Sequence, residues 1–166
     1  MKIRDANKEE LPYIRNQRKE SYQEHEMAVN KDHWQALQNS ILSDADIQPN
    51  VELIVAEVEG EILGSVALFP AKMDAYEGQV DELDHPEIRL LAVPKSARGH
   101  GVATALLMEC FQRAKQQGYD YIGLHTGSFM QGAIKLYESL DFERLPQYDF
   151  EPADDGIVVR AYRRAL

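Results

Sequence analysis

The segment from Arg98 to Thr104, which reads Arg-Gly-His-Gly-Val-Ala-Thr, places a guanidinium and two glycines at the start of a helical pattern. The first N–H groups of a helix have no acceptor within the helix and carry the positive end of its dipole. Glycines at this point remove Cβ atoms, so the main chain can close around a phosphate. Arg98 adds a positive charge with several N–H donors. The segment therefore predicts an anion-binding site, unless its glycines serve only the turn.

The residues on either side of this segment predict the elements that hold it. Ile88 and the run from Leu90 to Val93 are apolar and short, which is typical of a buried strand, and Pro94 closes the run. After Gly101, apolar residues recur at helical spacing until Gly118. These helix positions are Val102, Leu106, Leu107, Cys110, Phe111 and Ala114. The predicted order is strand, glycine loop, helix.

Two other phosphate-binding loops do not fit this spacing. A Walker A loop ends in Gly-Lys-Ser/Thr, and no such sequence follows Gly101. A dinucleotide fingerprint needs a third glycine where this chain has Thr104, and an acidic residue on a later strand. A Rossmann-like nucleotide binder also requires a parallel sheet throughout, whereas the early part of this chain predicts an antiparallel hairpin.

The strand end Leu91–Val93 and the following Arg98-x-x-Gly101-x-Ala103 resemble motif A of the GNAT superfamily of acyl-CoA-dependent N-acetyltransferases. The resemblance implies acetyl-CoA (coenzyme A) as co-substrate, with the strand end pairing with the pantetheine amides and the loop N–H groups taking the diphosphate. The N–H of Val93 or its neighbour is then the expected oxyanion donor. The implied cofactor-binding residues are Leu91, Ala92, Val93, Arg98, Gly99, His100, Gly101, Val102, Ala103 and Thr104.

The segment from Lys135 to Phe142 resembles motif B of the same family, commonly Leu-Tyr-x-x-x-Gly-Phe. Tyr137 matches the tyrosine that lies near the CoA sulfur, so the resemblance implies that it donates to the leaving thiolate. A thiol with a pKa near ~8.5 leaves fairly well beside a phenol near ~10, so we expect a modest catalytic role. A tyrosine packed in the core is the alternative. Two positions depart from the pattern: Met130 stands where Asn is common, and Asp141 replaces the usual Gly but can still adopt left-handed geometry.

Transfer of an acetyl group to an amine needs a proton acceptor, because an alkyl ammonium with a pKa of about 10.4 is almost entirely protonated at neutral pH. Glu87 is the first choice, since it opens the central strand as bases of this family often do. Arg89 would share its face and could form an ion pair that lowers the pKa of Glu87. His125, at the end of the next predicted strand, is the second choice. The five histidines show no metal-ligand spacing, so we expect no metal.

Aromatic and acidic residues gather between two predicted helices in the first part of the chain. In the GNAT family this region lines the acceptor site. The resemblance therefore implies substrate contacts from Tyr22, Glu26 and Trp34, with His125 as a further candidate. Two ordinary packing helices with a solvated loop between them are the alternative.

The remaining periodicity completes the predicted fold. An opening strand precedes two helices, the second capped by Asp32, and Val51 to Val58 pairs with Ile62 to Phe69 as a hairpin. Residues 71–86 form an acidic insertion, and the last strand covers 157–163. The order β-α-α-β-β-β-α-β-α-β-β over 1–166 implies a single α/β domain of mixed α+β type with the GNAT fold. The implied sheet is twisted and mostly antiparallel, with a splayed parallel strand pair and about four flanking helices.

The amino-acid composition and net charge limit the kinds of partner expected for this chain. A formal net charge of −10 disfavours a nucleic-acid partner held through its phosphates. An acidic surface attracts cationic amines, or it only keeps a protein soluble. One cysteine in 166 residues excludes an internal disulfide, and Cys110 falls on the apolar helix face as a small core residue. No signal peptide or membrane span is recognisable, so the cytoplasm is the expected location and no membrane contact is expected.

These observations predict an acyltransferase that moves an acetyl group from acetyl-CoA to a primary amine by direct attack. The amine belongs to a small molecule or to a protein. The sequence of the loops expected to line the acceptor site does not identify which amine it is. A non-catalytic acyl-CoA-binding sensor or interaction module is the alternative. Homodimers are common in the family, and a homodimer is an open expectation for this chain.

Overall fold

The computed structural model describes residues 1–73 and 83–166, in which one sheet carries helices on both faces. These described residues form seven strands, β1 (Lys2–Asp5), β2 (Glu52–Val58), β3 (Glu61–Phe69), β4 (Glu87–Ala92), β5 (Tyr121–Gly127), β6 (Glu143–Arg144) and β7 (Val159–Ala165). The same two ranges contain four α-helices, α1 (Leu11–Tyr22), α2 (Lys31–Ile41), α3 (Val102–Gln116) and α4 (Gln131–Ser139). The acidic insertion lies largely outside the described residues, because 74–82 belong to neither range.

The sheet has the order β1-β2-β3-β4-β5-β7-β6. Among the described strands, β4 and β5 pair in parallel and every other neighbouring pair is antiparallel. The predicted fold class is thus confirmed. The hairpin between β2 and β3 turns at Glu59 and Gly60, whose φ angles of 52° and 81° are left-handed, as a tight two-residue turn requires. These antiparallel strands exclude a Rossmann-like sheet.

Each face of the sheet is covered by one pair of helices. Apolar residues of α3 and α4 pack on one face, where Leu106, Leu107, Ile134 and Tyr137 join the central cluster. On the other face, Ile14 of α1 and Ile41 of α2 pack against β2, β3 and β4. The strand β4 is consequently buried on both sides, and residues at its end lie between the two helical layers.

The parallel strands β4 and β5 pair over a short length and then diverge from each other. Its register is confined to Glu87 opposite Gly123 and Ile88 opposite Leu124, although both strands continue beyond these residues. A bulge interrupts β4 directly afterwards, and Leu90 there has a φ of 61°. A bulge adds one residue to a strand and bends it away from its partner. The splayed pair expected from the family resemblance is present at this point.

A buried ion network fixes α1 to the turn after α2. Arg18 is fully buried, and its Nη1 donates to the Ile41 carbonyl at 2.7 Å and to the Asp46 carboxylate at 3.0 Å. Nη2 of Arg15 lies 2.7 Å from the other Asp46 oxygen. Burial alone would raise the pKa of Asp46, but the hydrogen bonds and charges of Arg15 and Arg18 outweigh it and lower that pKa.

The cap of α2 and the start of the last strand differ from the sequence prediction. The helix α2 is capped by Asn30, whose side chain accepts from the N–H of His33 at 2.8 Å, so the predicted cap at Asp32 is wrong. Asp32 lies in the first turn, where its charge still favours the helix. The last strand begins at Val159, two residues later than predicted, because the chain turns over 152–156, between Phe150 and Val159, which pair with each other.

Candidate active site

The glycine loop before α3 is an open cradle of main-chain donors. Gly99 and Gly101 have φ angles of 80° and 79°, and a Cβ built on either would meet no atom within 4 Å. No side chain caps the helix, and its first recorded main-chain bond runs from the Ala105 N–H to the Gly101 carbonyl. The N–H groups of 102–104 therefore have no acceptor inside the helix, as at any helix start. An anion such as a diphosphate fits this cradle.

The Arg98 side chain extends from this loop toward α1. Its Nε donates to the Val93 carbonyl at 2.9 Å, and its guanidinium lies 2.9 Å from the Glu24 carboxylate. A weaker contact of 3.4 Å reaches the Ser21 carbonyl. Arg98 thus ties the loop to the end of β4 and to the residues that follow α1.

A cleft of about 240 Å³ occupies the gap between the splayed strands. Leu90 and Leu91 line it from β4, and His125 to Gly127 line it from β5. The hydroxyl of Tyr22 donates to the Leu91 carbonyl at 3.1 Å, which joins α1 to the strand wall. Tyr137 of α4 lines the same cleft from the opposite helical layer.

Tyr137 is a buried phenol facing the cleft. Its side chain is 7% exposed, and its ring makes an edge-on contact with Phe142 at 5.8 Å between centroids. Burial, and to a lesser degree Tyr22, raises the pKa of Tyr137 above its ordinary value. The phenol therefore keeps its proton at neutral pH and is available as an O–H donor. Asp141, which follows this helix, has a φ of 66°, so the left-handed geometry expected at this position is confirmed.

The two residues considered for the base lie side by side. Nδ1 of His125 is 3.4 Å from the Glu87 carboxylate, and its Nε2 is 3.0 Å from the Tyr148 carbonyl. His125 lines the cleft, with Glu87 next to it on the neighbouring strand. Gly123 makes this approach possible, because a Cβ there would lie 2.7 Å from the Glu87 carboxylate.

Arg89 shares the face of Glu87 on β4 but extends toward the other side of the cleft. It donates to the Ser40 hydroxyl, and its guanidinium lies 5.5 Å from the centroid of the Phe69 ring. Arg89 also lines the cleft, so the same cavity that contains His125 has a cationic side chain in its wall. The sequence could place both charges on one strand but not the distance between them.

One wall of the cleft is largely aromatic. Phe129 is flanked by His25 at 5.5 Å and by His33 at 5.7 Å between ring centroids. Phe150 lies 5.6 Å from the His125 ring. His33, Phe129 and Phe150 all line the cleft. The sequence placed His33 in the region expected to contact the substrate, whereas it gave no indication of Phe129 and Phe150 as site residues. The position of Phe129 two residues after β5 is the one local signal that could have identified it.

Of the predicted substrate contacts, Tyr22 and His125 line the cleft, whereas Glu26 and Trp34 are not among its described lining residues. Glu26 is exposed in the turn after α1. Trp34 is 7% exposed, because it packs inward from α2. Neighbouring side chains, His25 and His33, take the positions beside Phe129 instead.

Other chemistry predicted from the sequence can be placed as well. Cys110 is fully buried and burial raises the pKa of its thiol to about 12, consistent with a core residue. Within residues 1–73 and 83–166, His, Cys, Asp and Glu side chains form no group of three or more that could hold a metal ion. No helix in the described part of the chain combines the length and the apolar composition that a membrane crossing requires.

A splayed parallel strand pair with a glycine cradle at one end and a buried tyrosine in the gap defines an α/β protein of the acetyltransferase class. The chain belongs to the acetyltransferase (GNAT) family, whose model matches residues 8–142. The match covers both motifs that the sequence analysis singled out.

Curated relatives match a little more than half of the chain. N-acetyltransferase 8 from Rattus norvegicus is 38% identical over 90 residues, which are 54% of this chain and 38% of the relative. N-acetyltransferase 8B from Homo sapiens is 33% identical over 96 residues, 58% of this chain and 40% of the relative. The chain thus matches about two fifths of the length of these relatives.

Solved structures share the whole fold. PaiA N-acetyltransferase from Thermoplasma acidophilum, solved in complex with coenzyme A, superposes with a TM-score of 0.71 at 13% identity, covering 99% of this chain and 98% of the other. Ribosomal-protein-alanine N-acetyltransferase from Brucella melitensis gives a TM-score of 0.68 at 21% identity and full coverage of both chains. At these identities the likeness concerns the fold.

Proposed function

We propose that this protein transfers an acetyl group from acetyl-CoA to a primary amine by direct attack. The observation that carries the proposal is the cleft itself, which has the open glycine cradle near one end of the splayed strands, Tyr137 and His125 along it, and Glu87 in contact with His125. Family membership and a coenzyme A complex among the structural neighbours support the same activity. Catalysis then depends chiefly on holding two reactants in line, where effective molarities of about 10⁵ to 10⁸ M are attainable.

The main chain carries the cofactor side of the proposal. The N–H groups from Gly99 to Thr104 would bind the diphosphate, and the strand end Leu91–Val93 would run beside the pantetheine. The splay of β4 from β5 supports this, because it leaves the end of β4 without a paired strand neighbour on that side. When bound, acetyl-CoA supplies an activated acetyl group at the thioester.

The Glu87–His125 pair would remove the amine proton. His125 lines the cleft, with its Nδ1 3.4 Å from the Glu87 carboxylate and its Nε2 3.0 Å from the Tyr148 carbonyl. Glu87 would therefore accept the amine proton through a water molecule, and His125 would hold the carboxylate in position. His125 would be the base only if its Nε2 left the Tyr148 carbonyl. Tyr137, whose proton is retained because burial raises its pKa, would donate to the departing thiolate.

Thiol release from acetyl-CoA in the presence of a panel of amines tests this function. The panel contains small alkyl amines, polyamines, amino acids and a lysine peptide, with mass spectrometry of the products. We expect N-acetylated product from at least one class and none when the amine is omitted. Tight acetyl-CoA binding with no turnover on any amine would favour a non-catalytic sensor instead.

The cytoplasmic location and the small-molecule or protein amine as partner are part of the proposal. A homodimer and the absence of nucleic-acid or membrane partners remain predictions from the sequence. The net charge of −10 supports a preference for cationic over anionic acceptors.

A further inference from the structure

The end of α1 and the turn that follows it contact both sides of the cleft. Tyr22 donates to a main-chain carbonyl of β4, and the Glu24 carboxylate lies 2.9 Å from the guanidinium of Arg98. The next ring, His25, packs on Phe129 beyond the end of β5. This turn is therefore connected to β4, to the glycine loop and to the acceptor wall at once.

The N–H donors of the Arg98 side chain contact protein groups in and around this turn. It contacts the Val93 and Ser21 carbonyls and both oxygens of Glu24. Lys95 adds a weaker contact of 3.8 Å to the same carboxylate. The hydrogen bond from Arg98 lowers the pKa of Glu24, which keeps the carboxylate ionised at neutral pH.

We propose that Glu24 is a positioning residue for the cofactor. Through Arg98 it fixes the glycine loop relative to the end of β4, so that the loop N–H groups keep the geometry that a diphosphate needs. The inference rests on the proposed function, since it concerns the same cofactor site. The inference goes beyond the proposed function because it assigns the Arg98 side chain to supporting the loop and not to binding the phosphate.

Arg98 could bind the phosphate directly or support the loop through Glu24. The direction in which cofactor affinity changes when the Glu24 charge is removed distinguishes these two roles. If the Arg98 charge acted on the phosphate directly, Glu24 would compete for it, and removal of the Glu24 charge would strengthen cofactor binding. If Arg98 supports the loop through Glu24, the same change weakens binding. Both oxygens of Glu24 contact Arg98, so a neutral amide cannot replace the pair.

The experiment is calorimetric titration of coenzyme A, which binds without turnover, into wild type, Glu24→Gln, Arg98→Lys and the double variant. Glu24→Gln should raise the Kd about fivefold, in the range expected for a partly exposed ion pair. Arg98→Lys should do the same, because lysine keeps the charge but cannot make the three contacts. The double variant should lose little more than Arg98→Lys alone, since the contact with Glu24 is already lost in that variant. Glu20→Gln, an exposed change earlier on α1, should leave the Kd unchanged.

Each outcome decides between the roles. A lower or unchanged Kd in Glu24→Gln, or full affinity in Arg98→Lys, overturns the inference while leaving the proposed function intact. Failure of the wild type to bind coenzyme A would overturn the proposed function and this inference with it. Melting curves identify any variant that is unfolded. Glu24→Asp retains the negative charge and should therefore bind coenzyme A with most of the affinity of the wild type.

Discussion

The two sides of the cleft are built in different ways. The proposed cofactor side is one continuous stretch, in which β4, the glycine loop and the start of α3 follow each other from Glu87 to Thr104. The proposed acceptor side is assembled from side chains of separate segments, including Tyr22, His33, Phe129 and Phe150. Main-chain groups dominate the first side and aromatic side chains the second.

This difference separates the groups that must be kept for phosphate binding from the side chains that can vary with the acceptor. Main-chain N–H groups at a helix start bind a phosphate whatever the neighbouring side chains are, provided that the glycines remain. Aromatic walls from separate segments recognise the shape of one acceptor and change with each of those segments. The same fold can therefore hold one cofactor and serve many amines.

The largest expected effect comes from the residues between the two sides. Glu87→Gln keeps the shape of the side chain but removes its capacity to take up charge and protons. We expect kcat/KM to fall about 10² to 10⁴-fold, the usual range for loss of a general base. Steady-state thiol release measures this, and the Kd for coenzyme A should stay near that of wild type.

Glu138→Gln serves as the matched control, because Glu138 is an exposed acid on α4. It should leave the rate unchanged. Full activity in Glu87→Gln would remove Glu87 from the mechanism and leave His125 as the remaining candidate base.

The scaffold of the acceptor side depends on buried charge. Asp46→Asn leaves Arg18 buried without its counter-charge, which we expect to lower the free energy of unfolding by about 3 to 5 kcal/mol. The folded-state pKa of Asp46 is lowered, so its contribution is present above its unfolded pKa of about 3.9 and is lost as the pH falls through the folded value. Urea denaturation from neutral to acid pH should show a flatter acid limb in the variant. The exposed Asp44→Asn in the same turn should change little, and equal losses in both would contradict a role for the buried pair.

A smaller catalytic effect is expected at the leaving group. Tyr137→Phe removes only the hydroxyl, and kcat should fall about 10 to 10³-fold, because a thiolate already leaves well without a strong acid. The KM for acetyl-CoA should change much less. Tyr13→Phe, at a tyrosine that is 52% exposed, is the control. Unchanged kcat in Tyr137→Phe would make that tyrosine a packing residue.

Sequence patterns could predict the cofactor side because its parts are local. A strand, two glycines and a helix in direct succession define the loop before any tertiary contact is known, as Gly99 and Gly101 show. The same reasoning found Glu87 and His125 but treated them as alternatives, since their contact depends on the register of β4 and β5.

The acceptor side could not be predicted at the level of residues. Glu26 and Trp34 carry suitable chemistry, yet the rotation of α2 and of the preceding turn directs His33 and His25 toward Phe129 instead. That rotation follows from packing and from the Asn30 cap, neither of which has a local signature strong enough to fix which side chain faces a cleft. The second wall, near Phe150, comes from a segment without regular structure.

The most direct measurement of the central claim is acetyl-CoA affinity in two glycine variants of one helix. Gly101 precedes α3 and Gly118 follows it, with φ angles of 79° and 89°, and a Cβ at either would meet no protein atom within 4 Å. Gly101→Ala and Gly118→Ala should therefore strain the backbone alike. Only the first should weaken acetyl-CoA binding, by at least about tenfold, a loss of about 1.4 kcal/mol. Wild-type affinity in Gly101→Ala, or an equal loss in Gly118→Ala, would contradict a diphosphate site at this loop.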